Sequence, residues 1–219
     1  MNLNFKVAHL SCSCNGQFQE PLLKFFPEEA RISFLEKLLK TYSIKISEIK
    51  FDNSNISDRY ISFTKVVPEY SMSLSFGADS FGIEVKRGRF VAPLSDSYYK
   101  LLSIIGALEL SQLQLSYHSQ LAPKGLAATK ELIDSLVPTN IPLFTEAVVQ
   151  KGANFTFKST DPAANYTMTI ADSAFIPNGI FFSSMFYFNN VNPTKLDVFD
   201  FASRKINTTI SDLNLSISD

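Results

Sequence analysis

The pattern of hydrophobic and polar residues runs through the same order of elements twice, once in residues 1–111 and once in residues 112–219. In each half, alternating residues predict strands, and apolar stripes at helical spacing predict one helix after the first strand and another at the end. We therefore expect an α+β fold in which a curved, mainly antiparallel sheet packs on helices. The two halves are expected to be pseudo-repeated β-α-β4-α units, fused or forming one continuous domain.

Turn residues and capping residues set the boundaries of these elements. In the first half the predicted elements are a strand at 4–14, a helix at 27–42, strands at 44–51, 60–67, 71–76 and 81–86, and a helix at 95–110. In the second half they are a strand at 113–117, a helix at 126–136, strands at 143–150, 153–159, 166–171 and 179–188, and a helix at 193–211. A phase change at Val7 and Ala8 predicts a β-bulge. Asn15-Gly16 is expected to end the first strand, and Asn192 to cap the last helix.

The predicted strand at 179–188 is apolar on both faces, unlike the other strands. Its large residues form two sets, with Ile180, Phe182, Phe186 and Phe188 on one face and Phe181, Met185 and Tyr187 on the other. A central strand covered on both sides by the protein's own elements has this pattern. A strand whose second face is an exposed aromatic patch has it too. In that case Phe181, Met185 and Tyr187 are the candidate interface with another chain.

Composition and charge limit the classes of protein. The chain has 219 residues, of which 45% are hydrophobic, which is enough to form a core without disulfides or metal ions. It has 20 Lys+Arg against 21 Asp+Glu, and the net charge of −1 makes a nucleic-acid partner unlikely on charge grounds. The sequence has no run of ~18 apolar residues and no signal-peptide pattern at its start. A cytoplasmic protein without a membrane segment is therefore expected.

Cysteine and histidine do not form a recognisable metal or catalytic set. Cys12 and Cys14 lie on one face of the first predicted strand but lack further ligands at metal-binding spacing, so we interpret them as small buried residues. His9 and His118 lie on the strands that open the two halves, which would make them neighbours at the centre of the sheet. No nucleophile motif accompanies either histidine. We assign no catalytic residue, metal or cofactor.

The densest basic run is Lys86, Arg87 and Arg89, interrupted by a glycine. Its place after a predicted strand favours a strand-end turn. The alternative is that these three residues are an anion contact for a ligand or a nucleic acid.

Three stretches carry a resemblance to a known family: SLSFGADSFGI at 73–83, LQLSY at 113–117, and Leu196-Asp197 followed by Phe199, Ile206 and Ile210. They resemble a sporadically distributed family of bacterial α+β proteins of about this size. That family has no assigned activity, so the resemblance implies a fold and no catalytic residue. In topology alone, the tandem β-α-β4-α order is similar to the TATA-binding protein family, whose open sheet face binds DNA through basic and apolar side chains. The net charge of −1 departs from that family, and DNA binding is not expected to carry over.

These observations leave three hypotheses for function. The first is a non-enzymatic binding protein that assembles with itself or with another protein through an apolar sheet face or edge. The second is a carrier of a small apolar ligand, with a cavity between the curved sheet and the last helix. The third is an enzyme whose scattered residues form no recognisable motif.

Overall fold

The computed structural model describes residues 3–23, 27–51, 61–86, 92–106, 109–124, 128–137, 151–193 and 197–218, which form ten strands and four helices. The strands are β1 (Leu3–Phe18), β2 (Ile49–Phe51), β3 (Ile61–Val66), β4 (Ser71–Phe76), β5 (Ser80–Lys86), β6 (Leu110–Pro123), β7 (Gly152–Thr160), β8 (Ala163–Asp172), β9 (Ile180–Val191) and β10 (Leu215–Ser218). The helices are α1 (Glu28–Tyr42), α2 (Ala92–Ile105), α3 (Ala128–Leu136) and α4 (Val198–Asp212).

All ten strands belong to one sheet. Nine of them follow the order β2-β3-β4-β5-β1-β6-β9-β8-β7, and every neighbouring pair in this order is antiparallel. The tenth, β10, pairs in parallel with the first residues of β1. The prediction of an α+β fold with a mainly antiparallel sheet is therefore confirmed. The expected division between residues 111 and 112 falls inside β6, which pairs with β1 at the centre of the sheet.

One face of the sheet, called here the covered face, packs against the helices. Along β1 and β6 most alternate residues are buried on this face, and aromatic residues connect it to the helical layer. The ring of Phe34 in α1 lies 4.6 Å from that of Phe76. In the second half, Phe201 of α4 lies 6.2 Å from Phe186. The alternation therefore encodes a single apolar core between the sheet and one layer of helices.

The first strand is longer than predicted because Asn15-Gly16 does not end it. β1 continues to Phe18, and Gly16 pairs with Phe81 of β5 and Leu113 of β6. A β-carbon on Gly16 would lie 2.2 Å from Cε1 of Phe81, so this glycine serves a close approach of two strands and not a turn. The bulge near Val7 is confirmed by a shift in the pairing with β6 between Val7 and His9.

Other boundaries also differ from the predictions. Residues expected as a strand at 44–51 form a 3-10 turn at Ile46–Glu48 and the short β2. Helix α4 starts at Val198, and Asp197 caps it by accepting hydrogen bonds from the N–H groups of Phe199 and Asp200, so the prediction of Asn192 as the cap is wrong. Strand β10 was not predicted, and the strand predicted at 143–150 lies outside the described residues.

Candidate functional site

The second face of the sheet, called here the open face, carries polar side chains in three rows that cross the strands in register. The first row is Lys50, Ser62, Ser75, Gly82, Asn15, Gln114, Tyr187, Asn165 and Lys158. The second is Thr64, Ser73, Glu84, Ser13, Ser116, Met185, Thr167 and Thr156, and the third is Val66, Ser71, Lys86, Ser11, His118, Ser183, Thr169 and Asn154. Serine, threonine, asparagine and glutamine thus dominate this face.

The candidate interface residues lie on the open face, at β9. Phe181, Met185 and Tyr187 are each half-buried, whereas Phe182 and Phe186 between them on the strand are 0% and 1% exposed on the covered face. The hydroxyl of Tyr187 donates to the sulfur of Met185 at 3.6 Å. The trio is therefore a partly exposed apolar patch inside a polar surface.

His118 links this trio to the centre of the sheet. Its ring stacks on that of Phe181 with 6.1 Å between centroids and an angle of 7°. Its Nδ1 lies 2.8 Å from Oγ of Ser183, and burial lowers the pKa of His118. His9 pairs with Gln120 and His118 with Ser11, so the two histidines are diagonal neighbours on β1 and β6, as the sequence predicted.

The contact between Ser183 and His118 resembles a nucleophile and its base, but its surroundings do not favour catalysis. Ser183 is 4% exposed. It lies on β9, which is paired with β6 on one side and β8 on the other, so the neighbouring backbone N–H groups are engaged in the sheet. An acyl-transfer site needs N–H donors that point to the reacting oxygen. The geometry is that of a buried structural hydrogen bond.

The first half of the open face contains a hollow instead of an apolar patch. This hollow has a volume of about 350 Å³ and lies over β1, β3, β4 and β5. Its polar lining consists of Ser13, Asn15, Ser62, Thr64, Ser73, Ser75 and Glu84, with Gly82 among them. Short side chains on four adjacent strands leave this space open. The hollow therefore presents hydroxyl groups that can both donate and accept hydrogen bonds.

Charged residues at the edge of the hollow include one of the predicted anion contacts. Lys86 lies on the open face at the end of β5, with its Nζ 3.1 Å from Oε2 of Glu84. The hydroxyl of Ser11 donates to the other carboxylate oxygen of Glu84 at 3.4 Å. Arg87 and Arg89, the other two members of the predicted anion contact, lie outside the described residues.

The two cysteines lie on the covered face, away from these surfaces. Burial raises the pKa of the Cys12 thiol to about 12, and raises the pKa of Cys14 further. Thiols that stay protonated at neutral pH are poor nucleophiles and poor metal ligands. In the part of the chain that the structure describes, no group of three or more His, Cys, Asp or Glu side chains is arranged to hold a metal ion.

The space between the sheet and the last helix is filled by aromatic side chains. Phe199 of α4 lies 5.3 Å from Tyr98 of α2, and Phe201 lies 5.8 Å from Phe188 of β9, measured between ring centroids. These contacts pack the first turn of α4 against α2 and β9. Among the described helices, none is long and apolar enough to cross a membrane.

Sequence reasoning missed the hollow and the row that ends in Lys50 and Lys158. Both depend on the strand order, which brings β3, β4, β5 and β1 together, and no local pattern gives that order. No protein-family model matches the chain, and comparison with curated proteins finds no match. The resemblances to the bacterial family and to the TATA-binding protein family therefore stay predictions.

Proposed function

We propose that this protein is a non-enzymatic binding protein that docks another protein on the open face of its sheet. The observation that carries the proposal is the half-buried trio Phe181, Met185 and Tyr187 on a face of hydroxyl and amide side chains. Large apolar residues surrounded by polar ones are the typical arrangement of a protein interface. Burial of such anchors supplies most of the binding energy, and the polar surroundings exclude water.

Charge argues for a different protein as the partner and against a second copy of this chain. On the described strands, the open face carries four lysines, Lys6, Lys50, Lys86 and Lys158, and one carboxylate, Glu84, which is paired with Lys86. Two open faces brought together would therefore repel each other. The whole chain has a net charge of −1, so its remaining residues are net negative. A partner with an acidic surface fits the open face.

We also infer that the fold consists of two related β-α-β4-α units. The order of strands supports this, because β5, β4 and β3 follow β1 on one side of the centre as β9, β8 and β7 follow β6 on the other. A helix follows β1 and another follows β6, and helices α2 and α4 close the two halves. In this arrangement the hollow and the aromatic trio occupy equivalent places in the two units.

The substitution Tyr187→Asp tests the docking face. It adds a charge at the centre of the proposed interface, so the protein should stay folded and lose its partner. Ser33→Asp is the matched control, because Ser33 is exposed on α1, on the far side of the sheet. Immobilised wild-type protein and both variants are exposed to a lysate of the native organism, and the captured proteins are identified by mass spectrometry. The partner is then purified and its affinity for each variant is measured.

The expected result is one acidic protein that binds the wild type and Ser33→Asp directly and loses at least tenfold in affinity for Tyr187→Asp. Size-exclusion chromatography separates the other possibilities. A wild-type dimer that Tyr187→Asp converts to folded monomer would identify a second copy as the occupant. Loss of the folded circular dichroism spectrum in Tyr187→Asp would show that this face is internal and would refute the docking face.

A further inference from the structure

One cross-strand row of the open face connects the hollow to the aromatic trio. The row of nine residues listed first above crosses nine strands from Lys50 on β2 to Lys158 on β7. Eight strand spacings of about 4.8 Å give it a length of roughly 38 Å. Both ends are lysines, both are exposed, and no acidic residue lies between them. The row therefore has a fixed length, and its only charges are positive.

The chemistry of the open face changes across the strands. On β4 the open-face residues are Ser71, Ser73 and Ser75, so a ligand lying along that strand would meet only hydroxyl groups. A ligand that crosses the strands meets first the hydroxyl-lined hollow near Gly82 and then Tyr187, three strands away. Three strand spacings correspond to about 14 Å. Only the crossing direction brings the polar and the apolar subsites into contact with one ligand segment.

Resting on the proposed function, we infer that the partner presents an acidic peptide segment that crosses the strands along this row. An apolar side chain of the segment packs on Tyr187 and Met185. A carboxylate further along it enters the hollow and accepts hydrogen bonds from the hydroxyls of Ser62 and Ser75, with Lys50 at the end of the row to balance its charge. The Ser75 hydroxyl exchanges its long 3.5 Å hydrogen bond to the carbonyl of Gly82 for this contact. Ser75 and Ser62 lie four and five strand spacings from Tyr187, or about 19–24 Å, which in an extended segment separates residues about six or seven positions apart.

The density of positive charge distinguishes a peptide from a nucleic acid. Duplex DNA carries one negative charge per ~1.7 Å of its axis, so a contact of roughly 38 Å faces many phosphates. The described open face provides four lysines on its strands, and one of them is paired with Glu84. A segment with two or three carboxylates and an apolar anchor matches this charge better. Neutral hydroxyl and amide groups form the rest of the row, as recognition of a peptide requires.

Selection from a displayed library of random 12-residue peptides tests the inference. Peptides enriched on the wild-type protein are synthesised with a fluorescent label, and their affinities are measured by anisotropy. We expect enriched peptides to combine Asp or Glu with an aromatic or aliphatic residue about six or seven positions away. Three variants then locate the contacts: Tyr187→Ser removes the anchor, Ser75→Tyr fills the hollow, and Lys50→Glu with Lys158→Glu reverses both ends of the row.

Each of these variants should weaken binding at least tenfold, whereas Lys130→Glu, an exposed control on α3, should change it less than twofold. Circular dichroism checks that all variants are folded. If only Tyr187→Ser weakens binding, the crossing row is refuted and the docking face stands. If none of the three variants weakens peptide binding, the crossing row and the docking face are both refuted. Enrichment of no peptide or of basic peptides overturns the inference, as does a random-sequence DNA oligonucleotide that binds more tightly than the acidic peptides.

Discussion

The covered and open faces of the sheet share one backbone but differ in what holds each side chain in place. On β9, Phe186 is 1% exposed and packs its ring 5.4 Å from Tyr166 and 6.2 Å from Phe201, while the next residue, Tyr187, is half-buried on the open face. Substitutions on the covered face are limited because its buried side chains stabilise the fold. Many residues of the open face, such as Lys50 and Lys158, are exposed, although Ser183 on the same face is 4% exposed. A large apolar residue that reaches water on such a polar face is a candidate for binding.

The largest expected difference between the faces comes from two adjacent substitutions on β9. Phe186→Ala removes a fully buried ring and leaves a cavity, and should lower the free energy of unfolding by about 3–5 kcal/mol. Tyr187→Ala should lower it by less, about 1–2 kcal/mol, because the half-buried Tyr187 is less completely enclosed than Phe186. Urea unfolding monitored by circular dichroism measures both. Equal losses would mean that the open face is also a core face, and the comparison would fail.

An intermediate effect on the free energy of unfolding is expected at Gly16, where neighbouring side chains of the covered face leave no space for a β-carbon. The added β-carbon of Gly16→Ala would collide with the ring of Phe81, which is 0% exposed and lies between Phe18 and Tyr98 at 5.8 and 5.9 Å. Overpacking of this kind should cost about 1–3 kcal/mol. Combining the change with Phe81→Leu should recover part of the loss.

The control for Gly16→Ala is Ser13→Ala on the open face of the same strand. It should change the free energy of unfolding by less than about 0.5 kcal/mol. A harmless Gly16→Ala would show that β1 and β5 separate easily at this level of the sheet.

The smallest expected effect is a dependence of stability on acid pH that originates on the open face. Burial lowers the pKa of His118 below its ordinary 6.5, so the unfolded chain takes up a proton at a pH where the folded protein still holds the ring neutral. Stability should therefore fall as the pH drops below about 6.5, and the His118→Gln variant should lack this decrease. Urea midpoints at pH 7.5, 6.5 and 5.5 measure the difference. An unchanged slope in the variant would contradict the assignment to His118.

Local patterns predicted most of the covered face, because alternation along a strand depends only on neighbouring residues. They placed Phe181, Met185 and Tyr187 together on the face opposite Phe182 and Phe186, which the structure shows. They failed where a distant contact decides the local structure. Asn15-Gly16 reads as a turn, but pairing with β5 and β6 keeps it in a strand, and the glycine is required by Phe81.

The open face was harder to predict because its properties arise from strand order. Lys50 and Lys158 are 108 positions apart in sequence and become ends of one row only when nine strands are placed side by side. The four serines and Gly82 of the hollow come from four strands and have no common spacing. Strand β10 was missed for a similar reason, since its four residues follow the last helix and are recognisable as a strand only beside β1.

The pairing of β10 with β1 also constrains how the chain folds during synthesis. β1 is made first, yet residues 3–6 find their parallel partner only when residues 215–218 have emerged, and its long pairing with β6 needs residues up to 123. Contacts between such distant residues close large loops and slow folding. On the ribosome, the edge of β1 that accepts β10 would remain unpaired until β10 is made. We expect a nascent-chain chaperone to bind first at this edge, or premature aggregation to begin there.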